Sequence, residues 1–305
     1  MKIPPASTNL PQSPLPGSPT AKKNDDTWND LFSQLVSDNT QTNPLFSAPV
    51  SMPTPIGNIN QSSGINQVGS IKGLSPLGRN MALFDPESAY KMMTVINNYD
   101  VSFKAQFSEL SQMKSSVLQV QDAAQSLSSI ALSTGNDTIK SKLQGFVGEY
   151  NNWIQRFKPD LQEGGLLAGA QAVQRSQLEL EQNINNRFLG VKDGVRGLSD
   201  LGISIDPNTQ FAALDTTKLD TLLATNKPGV VATVQEFSTS FVKSASLLNS
   251  GGNFIARQID NLNRAIHFIT DNKSSLQAEF GTGDAAKPTG LLAQALAAYN
   301  QTGKA

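Results

Sequence analysis

Cysteine is missing from all 305 residues, and histidine occurs once, at His267. Disulfides, thiolate nucleophiles and zinc–sulfur sites are therefore excluded, and a single imidazole has no second histidine or cysteine with which to complete a site. Charge of one sign is also scarce. The formal net charge is −1 with both signs interspersed, so neither a nucleic-acid footprint nor a polybasic lipid-binding run stands out. No apolar run reaches about eighteen residues, so no segment reads as a membrane span. The opening MKIPPASTNLPQSP lacks the apolar centre of a secretory signal, and any export is expected to use a route without a cleaved one.

Hydrophobic residues make up 38%, low for a compact chain of this length, and the deficit is uneven. Residues 1–80 hold eleven of the sixteen prolines, with many serines and asparagines, so they bury too little surface to offset chain entropy and are expected to be disordered. One stretch there is an exception. In TWNDLFSQLVSDN, the residues Trp28, Leu31, Phe32, Leu35 and Val36 share one face of a short helix at about 27–37, which could dock on the chain's own body or on a partner.

From Asp85-Pro86 the pattern changes. Asp85 is placed to cap a helix whose first turn holds Pro86 and Glu87. Ile96, Tyr99, Phe103, Gln106, Leu110, Met113, Val117, Val120, Ala124, Leu127 and Ala131 then follow in steps of three and four. All but Gln106 are apolar, and neither proline nor glycine interrupts them. A heptad seam held this long predicts a coiled-coil helix within 81–134, roughly 70 Å in length. A second seam, Ile255, Ile259, Leu262, Ile266, Ile269, Lys273, Leu276 and Phe280, lies in the C-terminal segment 251–305, which ends in a further short helix. Because the chain must go out and return, the two seams are expected to pair antiparallel as a rod. Flanking residues such as Phe107, Leu118 and Phe254 would be left over for copies of the same chain.

Residues 135–250 read as a small, mostly helical domain. Helices are expected around 143–157, 173–188 and 229–248, with Gly164, Gly165 and Gly169 as breaks. Between the last two lies LSDLGISIDPNTQFAALDTTKLDTLLA. Ile203 and Ile205 alternate with polar residues, Asp206-Pro207-Asn208 is a turn, and Asp215 precedes Leu219, Leu222 and Leu223 at helical spacing, so a hairpin over 202–214 and a capped helix are predicted. The fold class is thus mainly α: a coiled-coil rod and a small helical domain carrying one hairpin, after a disordered tail.

Catalytic chemistry finds no footing. Glu179 and Glu181 point apart on a helix, and the spacing around Asp206 is not that of a calcium loop. GTGDAAKPTG (281–290) lacks the glycine–lysine–serine/threonine order and the preceding strand of a phosphate loop. Ser111, Ser115, Ser126 and Ser129 form a solvated helix face. No enzyme, cofactor or metal site is expected.

The order of motifs resembles a known family. Leu201-Gly202-Ile203, then Leu214-Asp215 with Lys218 and Leu219, is similar to the C-terminal half of the bacterial flagellar filament cap, or hook-associated protein 2, family. Phe146-Val147 with Tyr150-Asn151 resembles that family's FVxxYN helix, Gly165-Leu166-Leu167 the break after it, and the tail LLAQALAAYN its end. The resemblance spans about 87–300. It implies a non-enzymatic, extracellular flagellar assembly protein, exported unfolded through the type III apparatus, that oligomerises and meets flagellin or the filament tip, with an export chaperone as a further partner. It also implies that the head domains are missing, since only about 133–145 separate the first long helix from the FVxxYN helix. The alternative is a flagellar adaptor or regulatory coiled-coil protein that does not cap. The interface residues expected are Ile96, Tyr99, Phe103, Leu110, Met113, Val117, Val120 and Leu127 with Ile255, Ile259, Leu262, Ile266, Ile269 and Leu276.

Overall fold

The computed structural model describes residues 73–188 and 195–302; the helix expected at 27–37 lies outside the described residues. Asp85 starts the longest element. Its Oδ1 accepts from the Ser88 N–H at 3.0 Å, Pro86 occupies the first turn where its missing N–H costs nothing, and Glu87 pairs with Arg79 at 2.7 Å. The helix that follows, α1 (Pro86–Leu127), is about 63 Å long at 1.5 Å per residue. It stops at Leu127 rather than in the 130s because serines compete for its carbonyls. Ser126 and Ser129 hydroxyls donate to Ala123 O and Ser126 O at 2.7 and 2.9 Å, and Lys142 Nζ takes Ser126 O and Ser129 Oγ at 2.9 and 3.0 Å.

The other helices are α2 (Asn136–Leu161), α3 (Gln171–Ile184), α4 (Thr216–Thr225), α5 (Lys227–Asn249), α6 (Phe254–Asp271), α7 (Lys273–Phe280) and α8 (Gly290–Thr302). Two three-residue strands, β1 (Ile203–Ile205) and β2 (Ala212–Leu214), pair antiparallel, Ile203 opposite Leu214. The described residues are therefore mainly helical, with one small hairpin.

Five of these helices, α2, α5, α6, α7 and α8, pack on α1. α2 runs back along it, bringing Arg156 to Glu109. α5, α6 and α7 follow one another down another side in the same antiparallel sense, from Ser238 Oγ bonding Ala124 O at 2.7 Å to Asn80 Nδ2 bonding Ala278 O at 2.8 Å. The two seams do meet within one chain. They do not form a pair by themselves, because α1 is enclosed: between Ser102 and Leu110 the off-seam Ser102, Ala105, Ser108 and Glu109 are buried as well. Ala105 sits in a small apolar cluster with Ala295 of α8 and Leu166, while Phe107 packs edge-on to Tyr299 at 5.7 Å. The second seam is also not one helix. Asn272 interrupts it, its side chain donating to Phe268 O at 2.9 Å, so α6 ends and α7 starts anew.

One continuous apolar core runs from Met93 to Leu276 and includes Phe146 of α2 wedged edge-on between Phe237 and Phe241 of α5, at 5.1 and 5.2 Å. Burying each such ring contributes about 1.5–3 kcal/mol.

The fold begins before the end of the Pro/Ser/Asn-rich region. Residues 73–80 form a turn closed by a Leu74–Asn80 bridge, tied to the chain's other end where Thr282 N–H donates to Gly78 O at 2.9 Å. The GTGDAAKPTG run is the strap that makes this tie. Asn97 Nδ2 holds Thr282 O and Asp284 O at 3.0 and 2.9 Å, Tyr90 OH donates to Asp284 Oδ1 at 2.7 Å, and Asp284 N–H to Thr94 Oγ1 at 2.8 Å. Gly283 is needed there: φ is +61°, and a Cβ would lie 2.5 Å from the Thr94 nitrogen.

Candidate functional site

The family-like motifs converge on one place, where the hairpin rests on α2. Phe146, Tyr150, Leu201, Ile203 and Leu219 are buried in the common core, Val147 borders it, and Leu214 packs against it half-buried. Asn151 does something different. Its Nδ2 donates to Ala212 O at 2.9 Å and its Oδ1 accepts from Ala212 N–H at 2.8 Å, so the carboxamide stands in for a third strand on the outer edge of β2. A short polar side chain thereby supplies both halves of a backbone pairing.

The hairpin's two ends are fixed as well. Gly202 has φ +95°, and a Cβ there would sit 2.8 Å from Asp215 O, so only glycine lets β1 leave the 198–201 turn while its carbonyl accepts from Asp215 N–H at 2.9 Å. Asp215 caps α4, Oδ1 accepting from Lys218 N–H at 3.0 Å, and Lys218 Nζ reaches Ser199 O at 2.8 Å. At the far turn Asp206 Oδ1 takes the N–H groups of Asn208 and Thr209 at 2.8 and 2.9 Å. Those bonds hold its carboxyl below the usual range.

Where the C-terminal end of α2 meets α1, a buried acid pair forms. Arg156 bonds Glu109 Oε2 at 2.6 Å and Asp160 Oδ2 at 3.1 Å, both acids being nearly inaccessible. Burial raises the pKa of each carboxyl. For Glu109 the nearby Asp160 adds to the rise, and for both the Arg156 guanidinium opposes it. Tyr150 is raised too, by burial first and by Glu181 second.

Beside the hairpin turn, α2 and α3 leave a cleft of about 320 Å³. Trp153, Phe157 and Leu161 line it with the carboxamides of Gln162, Gln174, Gln177, Asn208 and Gln210. The sequence reading passed over it, as it did Asn151's pairing and the acid pair, because each joins residues tens of positions apart.

The seam residues proposed for an interface are nearly all buried within the single chain. Leu110, Met113, Val117, Leu127 and Leu262 have no exposure, Ile96, Tyr99, Phe103, Val120, Ile255, Ile266, Ile269 and Leu276 very little, and Ile259 is half-buried. Leu118 and Phe254 stay exposed, and His267 faces solvent. Among the described residues no cluster of histidine and carboxylate side chains suits a metal, and no helix is long and apolar enough to cross a membrane.

A helical bundle whose hairpin end spends Asn151, Asp206, Asp215 and Lys218 on pinning backbone is built as a structural module. The family model described as Flagellar hook-associated protein 2 C-terminus matches residues 115–285, from the last third of α1 through the hairpin to the strap. The chain belongs to that family, whose members are structural flagellar proteins and not enzymes. No curated protein and no solved structure matches the chain.

Proposed function

We propose that this chain is a cap-related assembly protein: copies of it gather at the distal end of the flagellar filament, outside the cell, and promote the polymerisation of flagellin. Membership of the hook-associated protein 2 family carries the reading, because the match covers the hairpin module and the core that holds it. The copies meet at the base of α1, not through the heptad seam. Leu77, Met81 and Phe84 are 74%, 63% and fully exposed, yet they stand on a turn pinned at Asn80 and Gly78, so the apolar surface is presented and not merely frayed. The base of α1 with α6 and α7 then serves as the leg, and the hairpin end handles incoming subunits. Delivery uses the flagellar export route, with an export chaperone as a transient partner.

One observation favours a second reading. Residues 128–135 alone connect α1 to α2, which leaves no head at that place, and a non-capping flagellar adaptor needs none.

The test is a strain lacking the gene. Capping requires short or absent filaments with flagellin released into the medium, recovery of the protein from the tips of sheared filaments, and light scattering above the monomer mass that falls on Phe84→Ser with Met81→Ser. Filaments of normal length in the deletion strain would refute the cap and leave the adaptor.

A further inference from the structure

We propose that the basic, apolar face where α3, α5 and α6 meet is the docking site of this chain's own acidic segment Asp25–Asn39. The inference does not depend on the capping role, since the face and its occupant are both parts of the one chain.

Two contacts set the geometry of the face. Asn183 of α3 accepts from the hydroxyls of Ser240 and Ser244 of α5 at 3.5 and 3.3 Å. About two turns earlier on α3, the Arg175 guanidinium lies over the ring of Phe254, the first residue of α6, at 5.0 Å. Leu178 on α3 and Leu247 on α5 fall between these contacts, 53% and 55% exposed, and Phe254 is itself half-exposed. Large apolar side chains left bare at one junction mark a contact surface. Its rim is cationic. Arg257 stands 5.9 Å from the Phe254 ring while its Nε donates to Gly252 O at 2.8 Å, and Lys243 lies one turn before Leu247. Among the described residues none of these three cations is in an ion pair; Glu179 and Asp260, one turn on from Arg175 and Arg257, do not reach them.

The sequence supplies a complementary occupant. In DDTWNDLFSQLVSDN, Trp28, Leu31, Phe32, Leu35 and Val36 repeat at helical spacing, and Asp25, Asp26, Asp30 and Asp38 carry four negative charges. No lysine or arginine lies between Lys23 and Lys72 to offset them. A helix this short is marginal in water alone, so its apolar stripe needs a surface to form against, and its charge selects a basic one. The bare residues Leu77, Met81 and Phe84 do not suit it, because Arg79 beside them is already taken by Glu87 and Asp85 adds negative charge. The tether is long enough. Gly73 O accepts from Met81 N–H at 2.8 Å and Asn80 bonds Ala278 O near the end of α7, so Phe254 lies about 40 Å away along α7 and α6. The 33 residues 40–72 reach up to about 110 Å, and a tethered partner binds without the cost of bringing two molecules together.

The experiment uses the full chain, whose lack of cysteine lets Ser33→Cys and the exposed Ser246→Cys carry the only two spin labels. Pulsed electron paramagnetic resonance should give one narrow distance peak that survives dilution with unlabelled chain. Leu31→Asp with Phe32→Asp should abolish the peak, and so should Leu178→Ser with Leu247→Ser. Arg175→Glu with Lys243→Glu should abolish it too, leaving Arg257 to hold the turn before α6, and adding Asp26→Lys with Asp30→Lys should restore it. Circular dichroism and Tm should stay those of wild type throughout; the charge-swap rescue separates docking from damage to the fold. A broad distance distribution in the wild type, or a narrow peak indifferent to the charge reversal, would overturn the proposal whatever the deletion strain shows. A peak lost on dilution would assign the face to the segment of a second copy, and would overturn docking within one chain.

Discussion

Replacing Asn151 by alanine isolates the link between the hairpin and the bundle. The change removes two hydrogen bonds and leaves the Ala212 N–H and C=O without partners in a place where Ala212 is only 5% exposed. Each buried backbone group left unsatisfied costs about 1–3 kcal/mol, and water entering the gap recovers part of it, so the loss should be about 2–4 kcal/mol. For a fold of this size that lowers Tm by roughly 5–15 °C. Urea unfolding monitored by circular dichroism should show a lower midpoint at unchanged slope, and amide exchange at Ala212 should accelerate selectively. Asn151→Asp makes a sharper comparison. It keeps an acceptor for the Ala212 N–H but sets a carboxylate oxygen against the Ala212 carbonyl, so stability should fall while Ala212 protection is retained. A loss under about 0.5 kcal/mol on Asn151→Ala, the range of ordinary surface changes, with Ala212 exchange unaltered, would refute the strand-mimic account.

Gly202→Val should cost more than the roughly 1 kcal/mol expected for Asp215→Ala, since it adds a side chain at φ +95° against Asp215 O whereas the other only removes a cap; equal midpoints in urea would count against this. Glu109 and Asp160 hold folded-state pKa values above their unfolded ones. The pair therefore favours folding in acid, and that contribution is lost as pH rises through the raised folded values. Stability of Glu109→Gln relative to wild type should accordingly improve as pH rises from below about 4, where an unfolded glutamate begins to ionise, toward neutrality, and a pH-independent difference would contradict it. Leu110→Asp with Val117→Asp places charge at two fully buried positions and should cost several kcal/mol. Because both residues are buried inside one chain, helix should be lost along with any larger assembly; folded monomers would show that the seam lies between chains.

Much of this architecture can be read from local chemistry. Asp85-Pro86-Glu87 announces a helix start because cap, fixed φ and acidic first turn act within three residues, and the hairpin and its helix are readable from the alternation at Ile203 and Ile205 and the cap at Asp215. Chain ends of elements are harder to read. Nothing in the period of the seam says that Ser126 and Ser129 will take the carbonyls that would continue α1, or that Asn272 will split α6 from α7, since each choice depends on a side chain competing with the backbone. The candidate site was the least legible part. Asn151 reads as one more polar residue on a helix until β2 lies beside it, 61 positions later, and the cleft exists only once α2, α3 and the hairpin turn have been placed.

The heptad seam of α1 teaches a separate lesson about what periodicity encodes. A repeat of three and four fixes which face of a helix is buried, but not how many neighbours cover it or whether they belong to the same chain. The answer lay off the seam. Ser102, Ala105 and Ser108 are small residues on a second face, and they let another backbone come close; the alanine-rich α8 supplies it through Ala295. The buried Glu109 on that stretch is tolerable only because Arg156 of α2 reaches it. A helix so enclosed has little seam left to offer a second copy. Apolar contact between copies must then come from surface that the bundle leaves bare, and Leu77, Met81 and Phe84 hold the most exposed of it on a turn fastened to both ends of the fold.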